Sequence, residues 1–311
     1  MSKQTEDAVM EQFDTPGHVV VTIRNASGVV ELAAEERGTT EVTVEALHPE
    51  SEERARATRI EMSPTGEGEF RIAVEVPRPS GWGESHGGVA VRVRMPQDAD
   101  LRVSTASADV HAEGRFGRVA LDSASGDIWL PEAIGDVVAS TASGDVNIRR
   151  VQGSLRVHTA SGTSFIDEVM GALEMESASG DQHVKVLGGR ARMQGASSDI
   201  LVGEVRDSLD AETASGNITI QQARGSLRLS ARSGDVEVRR IVEGHVVASC
   251  ASGDVSVGVA HGSRVRVDLD SRSGSVRSQI PLTQESDAGD GPLVEIEART
   301  ASGDVRVSAV G

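Results

Sequence analysis

The chain has 311 residues, a formal net charge of −17, 38% hydrophobic residues and only 2% aromatic residues. An acidic chain without a cluster of Lys and Arg lacks the footprint that binds nucleic acid. The single cysteine, Cys250, excludes an internal disulfide framework and a cysteine-based zinc site. Any core must be built from Val, Ile, Leu and Ala, and with 34 Gly against 9 Pro the turns rest on glycine.

The opening stretch, MSKQTEDAVMEQFDTPG, has no apolar run of the signal-peptide kind. No segment approaches the roughly 18 apolar residues that span a bilayer. The expectation is a cytoplasmic chain with no membrane span.

Asn25-Ala26-Ser27-Gly28 followed by Val29-Val30-Glu31-Leu32 reads as a corner leading into a strand. The strand completing that coil is predicted at Leu101-Arg102-Val103, after an excursion of nearly seventy residues. The excursion carries strand-like alternation over 41–46, 70–76 and 89–95. It also carries a predicted helix over about 49–62, with Pro at its start, Glu early and Arg later. Residues 1–100 therefore read as a first coil plus an α+β cap over an end that would otherwise expose unpaired strand edges.

From residue 101 to 311 the chain is repetitive. A corner serine falls at 107, 125, 143, 161, 179, 197, 215 and 233, an interval of eighteen, and recurs at 252, 273 and 302 as the units lengthen. Such a period marks a solenoid. In residues 143–160 the apolar positions are Val146, Ile148, Val151, Leu155, Val157 and Ala160. They divide the unit into two nine-residue halves, each with a short strand burying alternate residues. The predicted fold is all-β, a parallel β-solenoid of two-stranded, 18-residue coils about 4.8 Å apart. Its corners are marked by Gly126-Asp127, Gly144-Asp145, Gly180-Asp181 and Gly234-Asp235, where a type II turn would put the glycine at positive φ. Ala108 and Ser198 replace that glycine, so the turn type stays open. With two sheets so close, only aliphatic layers are expected between them. Residues 281–292 read as a polar loop.

Hexapeptide-repeat acyltransferases share the coil length, but a six-residue register from Val146 would bury Gln152, His158 and Glu176. The calcium-binding nonapeptide β-roll needs Asp-bearing turns in both halves, and only one corner here has them.

The phrases RMPQDADLRVSTASADV, STASGDVNI and RTASGDVRVSAV resemble the bacterial "putative adhesin" β-strand-repeat family, a domain of unknown function. The resemblance runs over nearly the whole chain. It implies a β-solenoid with no assigned catalytic residue, and the adhesin label implies export.

Candidate chemistry is sparse. Asp109, Asp127, Asp145, Asp181, Asp199, Asp235, Asp254 and Asp304 form one column, replaced by Thr163, Asn217 and Ser275. Carboxylates about 5 Å apart repel by roughly 1 kcal/mol in a water-like dielectric. Tolerance of Thr, Asn and Ser favours acceptors for corner amides over a metal ladder. Ser140, His158 and Glu176 fall into one outward column, but on a flat face without a nucleophile elbow or oxyanion donors. Glu174, Arg192, Asp210 and Arg228 alternate in sign as register support. The histidines, His111 and His183 among them, form no zinc pattern. No catalytic residue, metal or cofactor is predicted.

Two residues past the corner Asp stand Trp129, Asn147, Phe165, His183 and Leu201, pointing outward. They form the candidate interaction stripe, since exposed aromatic rows mark interfaces; the bland alternative is that they only shield the strands. The functional expectation is a non-enzymatic structural or interaction protein that binds a protein partner or its own copy. The alternative is an adhesin-like surface or glycan-binding module.

Overall fold

A computed structural model describes residues 8–66, 68–78, 87–280 and 291–311. It is an all-β solenoid whose strands fall into two compact units, residues 1–155 and 156–311. Most of the predicted polar loop, 281–290, and the first seven residues lie outside the described residues.

In the first unit one long strand, His18–Glu35, bends through the Asn25–Gly28 corner and supplies both strands of a coil. Asp100–Glu113 lies parallel to it in register, Val21 beside Leu101 and Val30 beside Val110. On its other side the excursion returns as a further layer: Glu69–Glu75 runs parallel to His18–Arg24, and Val89–Pro96 to Gly28–Glu35. That layer is then bordered by antiparallel strands. Arg59–Gly66 pairs with Glu69–Glu75, Thr39–Ala46 with Val89–Pro96, and Val9–Asp14 with Thr39–Ala46. Beyond Asp100–Glu113 the coils stack at eighteen residues, Val119 beside Val137 and Ile128 beside Val146.

The predicted helix over 49–62 is much shorter. A 3-10 turn, Pro49–Ser51, leads into an α-helix of five residues, Glu52–Arg56. Thr58 ends it by returning its hydroxyl to the Arg54 carbonyl at 3.0 Å. From Arg59 the chain is a strand, because Ile60 and Met62 alternate opposite Val74 and Ile72 and gain ladder partners there. What the helix contributes is Arg54. Buried, it donates to the carbonyls of Pro77 and Gly87 at 3.1 and 2.9 Å and approaches the Ser27 hydroxyl. Asn25 Nδ2 donates to the Val89 carbonyl at 2.9 Å. The first corner is thereby tied to the excursion.

The core is aliphatic with one exception. Phe116 is fully buried, against the expectation of aliphatic layers alone. It sits at a second corner beside Ala133, whose small side chain leaves room for the ring.

In the second unit the same register continues: Leu173, Ala191, Leu209 and Leu227 are successive neighbours, all buried. The last three coils are not stacked in chain order. Gly244–Ser252 pairs with Leu293–Ser302, and Leu293–Ser302 with Arg264–Ser271. In the other sheet Val255–Ala260 pairs with Val305–Val310, and Val305–Val310 with Val276–Ser278. The coil of 293–310 therefore slots between those of 244–260 and 264–278, so the expected succession of corners 252, 273, 302 is spatially 252, 302, 273.

The corners also differ from the expected turn. Gly126, Gly144 and Gly180 lie outside the positive-φ region, whereas Gly234 has φ of 134°. What Gly144 and Gly234 share is close approach. A Cβ on either would collide with the carbonyl oxygen of the equivalent glycine one coil earlier, Gly126 or Gly216. Stacking distance, more than turn geometry, is what demands glycine here.

Candidate functional site

The corner aspartates hold the coils together side chain to backbone. Oδ1 of Asp109 accepts the amide of Asp127 at 3.0 Å, and Asp127 accepts that of Asp145 at 2.8 Å. In the second unit Asp181 accepts from Asp199, Asp199 from Asn217, Asn217 from Asp235, and Asp235 from Asp254, at 2.7 to 3.0 Å. Each carboxylate thus faces an N–H dipole of the next coil, which offsets the repulsion along the column. Among the described residues no group of three or more His, Cys, Asp or Glu is arranged to hold a metal ion.

A second column escaped sequence reasoning. Two residues before the corner serines 125, 143, 161 and 179 stands a buried hydroxyl. Ser123, Thr141, Thr159 and Ser177 each accept the amide of the corner glycine three residues on, at 2.8 to 2.9 Å. At the next corner the two residue types change places, Gly195 standing in the hydroxyl column and buried Ser198 in the glycine column. Ser198 instead donates to the Gly180 carbonyl at 2.7 Å. Further along, the column is interrupted by Ala231, and its polar members donate to backbone carbonyls, Thr213 to Ser198, Cys250 to Gly234 and Thr300 to Gly253. Cys250 is thus a buried structural thiol, its pKa raised by burial. The signal was present in the repeated Thr/Ser-Ala-Ser-Gly phrase. Nearby, Ser164 and Gln182 are fully buried neighbours in a column otherwise filled by Ile and Val; among the described residues neither Ser164 Oγ nor Gln182 Oε1 has a hydrogen-bond partner.

The stripe residues occupy outward positions in both units. In the first, Trp129 lies between His111 and Asn147 and is 45% exposed. In the second, Phe165, 45% exposed, is followed by His183 and Leu201. The Phe165 and His183 rings stack with centroids 4.9 Å apart and planes 12° apart.

The column proposed for register support runs Glu174, Arg192, Asp210, Arg228 as neighbours. Its short contact is made outside the predicted four, by Arg156 Nε to Glu174 at 2.7 Å, which holds the Glu174 carboxyl below its usual range. His158 Nδ1 lies 3.1 Å from Glu176, both half exposed on the sheet face. In the first unit Ser140 is the neighbour of Asp122. It shares the lining of a groove with Thr22, Arg71, Ala73, Arg102, Ala120 and Val138. The groove contains no histidine or cysteine.

No helix is long and apolar enough to cross a membrane among the described residues. Three solved structures align along almost their full length. A "putative adhesin" from Bacteroides fragilis NCTC 9343 is 11% identical with a TM-score of 0.34, covering 98% of each chain. A "putative adhesin" from Parabacteroides distasonis ATCC 8503 is 12% identical with a TM-score of 0.37, covering 96% of each. A "putative lipid binding protein" from the same organism is 12% identical with a TM-score of 0.35, covering 97% of each. No curated protein matches the chain. The Toastrack DUF4097 family model matches residues 21–240 and again 170–310, which together take in the coils, the corner Asp column and the hydroxyl column; the chain belongs to the Toastrack DUF4097 family.

Proposed function

We propose that this chain is a non-enzymatic scaffold whose outer face binds a protein partner or a second copy of itself, and that it works in the cytoplasm. The observation that carries the reading is the exposure of Trp129 and of the Phe165–His183 stack, in a chain with only two Trp and four Phe. Large rings left half in water on a rigid sheet are the groups that dominate interface energies once covered. The non-enzymatic part rests on the dispersal of the polar groups. The His158–Glu176 pair is half exposed on a strand face, and among the described residues no hydrogen bond joins it to a Ser, Thr or Cys nucleophile.

The test is affinity capture with the intact protein beside Trp129→Ser, Phe165→Ser and the double variant. Circular dichroism and Tm should be nearly unchanged in all three, because outward positions do not fill the core. Capture of a specific partner should weaken in the singles and fail in the double variant. Equal capture by all four proteins removes the face from the account. Recovery of the protein at the cell surface would favour the adhesin-like alternative.

A further inference from the structure

The last coil of the second unit ends in an open strand. Among the described residues Arg264–Ser271 pairs on one side only, with Leu293–Ser302. The amides of Arg264 and Arg272 donate to the carbonyls of Pro292 and Thr300. Because N–H and C=O groups alternate in direction along a strand, the even-numbered residues bond toward that neighbour. Val265, Val267 and Leu269 turn their backbone groups to the open side. The same three side chains occupy core positions yet are only half-buried, beside fully buried Val294, Ile296 and Ala298. An unpaired edge of this kind is a template for another strand.

The outward residues of the strand are Arg264, Arg266, Asp268 and Asp270, two cations followed by two anions. We propose that this edge pairs antiparallel with the same edge of a second copy, centred on Val267, joining two chains end to end. In that register Arg264 faces Asp270 of the second copy and Arg266 faces Asp268, and both relations repeat by symmetry. Val265 faces Leu269, and Val267 faces its own counterpart.

The backbone agrees with the charges. Val265–Leu269 and Val267–Val267 fall on the hydrogen-bonded pairs, since these residues carry the free N–H and C=O groups. The Arg–Asp pairs fall on the non-hydrogen-bonded positions, where side chains come closest. Sliding the register by two residues sets Asp268 against Asp268 or Arg266 against Arg266, and sliding by one turns the apolar side chains outward. One register satisfies both patterns, and it is the isologous contact of a two-fold dimer. The existing ties are at the surface: Arg264 Nε donates to the Gly291 carbonyl at 3.0 Å, Arg266 is 3.7 Å from Glu295 with its side chain 83% exposed, and Asp268 is 3.1 Å from Arg299 with 66% exposed. This proposal does not depend on the aromatic face.

The test uses the full chain and light scattering after size exclusion. The parent should be dimeric at micromolar concentration. The double variants Arg264→Asp/Arg266→Asp and Asp268→Arg/Asp270→Arg make the strand all acidic or all basic. Each alone should weaken the dimer by about tenfold or more with unchanged circular dichroism. Mixed in equal amounts, they should form a one-to-one heterodimer, visible by native mass spectrometry. The Trp129→Ser/Phe165→Ser variant should remain dimeric. A monomeric parent, a dimer that either charge variant leaves unweakened, a mixture no more dimeric than either variant alone, or a dimer lost with the aromatic variant would each overturn the proposal.

Discussion

The amide of Asp304 donates to Oδ1 of Asp254 at 2.8 Å across fifty residues of sequence, and Asp304 in turn accepts the amide of Ser275 at 2.9 Å. The corner column therefore reads 254, 304, 275, and the coil of 293–310 is wedged into the stack after its spatial neighbour has already been made.

This order has a direct consequence for truncation. Cutting the chain after residue 292 removes the strand partners that Arg264–Ser271 and Val276–Ser278 have among the described residues. Limited proteolysis should cleave that shorter chain within 264–278 faster than it cleaves the parent there. A chain ending at residue 260 should stay folded, since 244–260 loses the coil of 293–310 but keeps the coil before it through Leu227–Val246 and Val236–Val255. Equal resistance of 264–278 with and without 293–311 would show that it stacks directly on 244–260.

Glycine at the corners is set by the distance between coils. Gly144→Ala should cost about 1–3 kcal/mol, because the new Cβ meets the Gly126 carbonyl and the coils must separate. Gly66→Ala should cost far less, the nearest atom there being a Glu69 carboxylate oxygen 3.9 Å away. Denaturant midpoints for the two variants settle the comparison; equal losses would move the requirement back to the turn.

The Asp column acts through an acceptor oxygen, which Asn also carries. Asn217 already fills that role, accepting the amide of Asp235 at 2.9 Å. Asp199→Asn should leave Tm close to the parent, while Asp199→Ala, which strands the Asn217 amide, should lower it clearly. Millimolar calcium should raise Tm of neither the parent nor Asp199→Asn. A large rise in the parent alone would restore a metal role by mass action.

Acid should act on a few identifiable carboxylates. The Arg115 guanidinium, bound at 2.6 and 2.8 Å, holds Asp98 below its ordinary 3.8. Burial pushes Asp100 up, but the Arg118 amide and guanidinium and the charge of His18 together bring it below. Asp304 is lowered first by the Ser275 amide and then by Arg306. A carboxylate whose folded pKa is depressed contributes stability that is present above its unfolded pKa and lost as pH falls through the folded one. Tm should be level down to about pH 4 and then fall. Asp100→Asn should be less stable than the parent at pH 7 and lose less between pH 4 and 2. A steeper acid loss in Asp100→Asn would contradict the assignment.

Much of this architecture is written in the period. Residues such as Val146, Ile148 and Val151 recur at fixed spacing because each coil repeats the same burial, and the register at Ile128–Val146 follows from counting. The wedged coil is not legible, since the corners at 252, 273 and 302 look alike and the same alternation fits either neighbour. The helix was overread because Pro49, Glu52 and Arg56 give helix signals locally, while the competing pairing of Ile60 with Val74 is a longer-range gain. The hydroxyl column was visible as spelling but not as function: Thr and Ser near a turn usually face water, and only the stacked corners bury them. The outward positions of Trp129 and Phe165, each in its own unit, were legible from the alternation, and the structure adds the stacking of Phe165 on His183.

The most direct test of the stacked-coil account is a pair of internal deletions in the second unit, compared by thermal unfolding. Removing residues 199–216 takes out one complete coil and joins Ser198 to Asn217 in register. The product should unfold cooperatively, with Tm within roughly 5 °C of the parent. Removing residues 199–210 takes out one strand and one corner and leaves Ala211 and Thr213 out of phase. That product should lose cooperative unfolding. Equal stability of the two deletions would contradict the eighteen-residue coil on which the whole account rests.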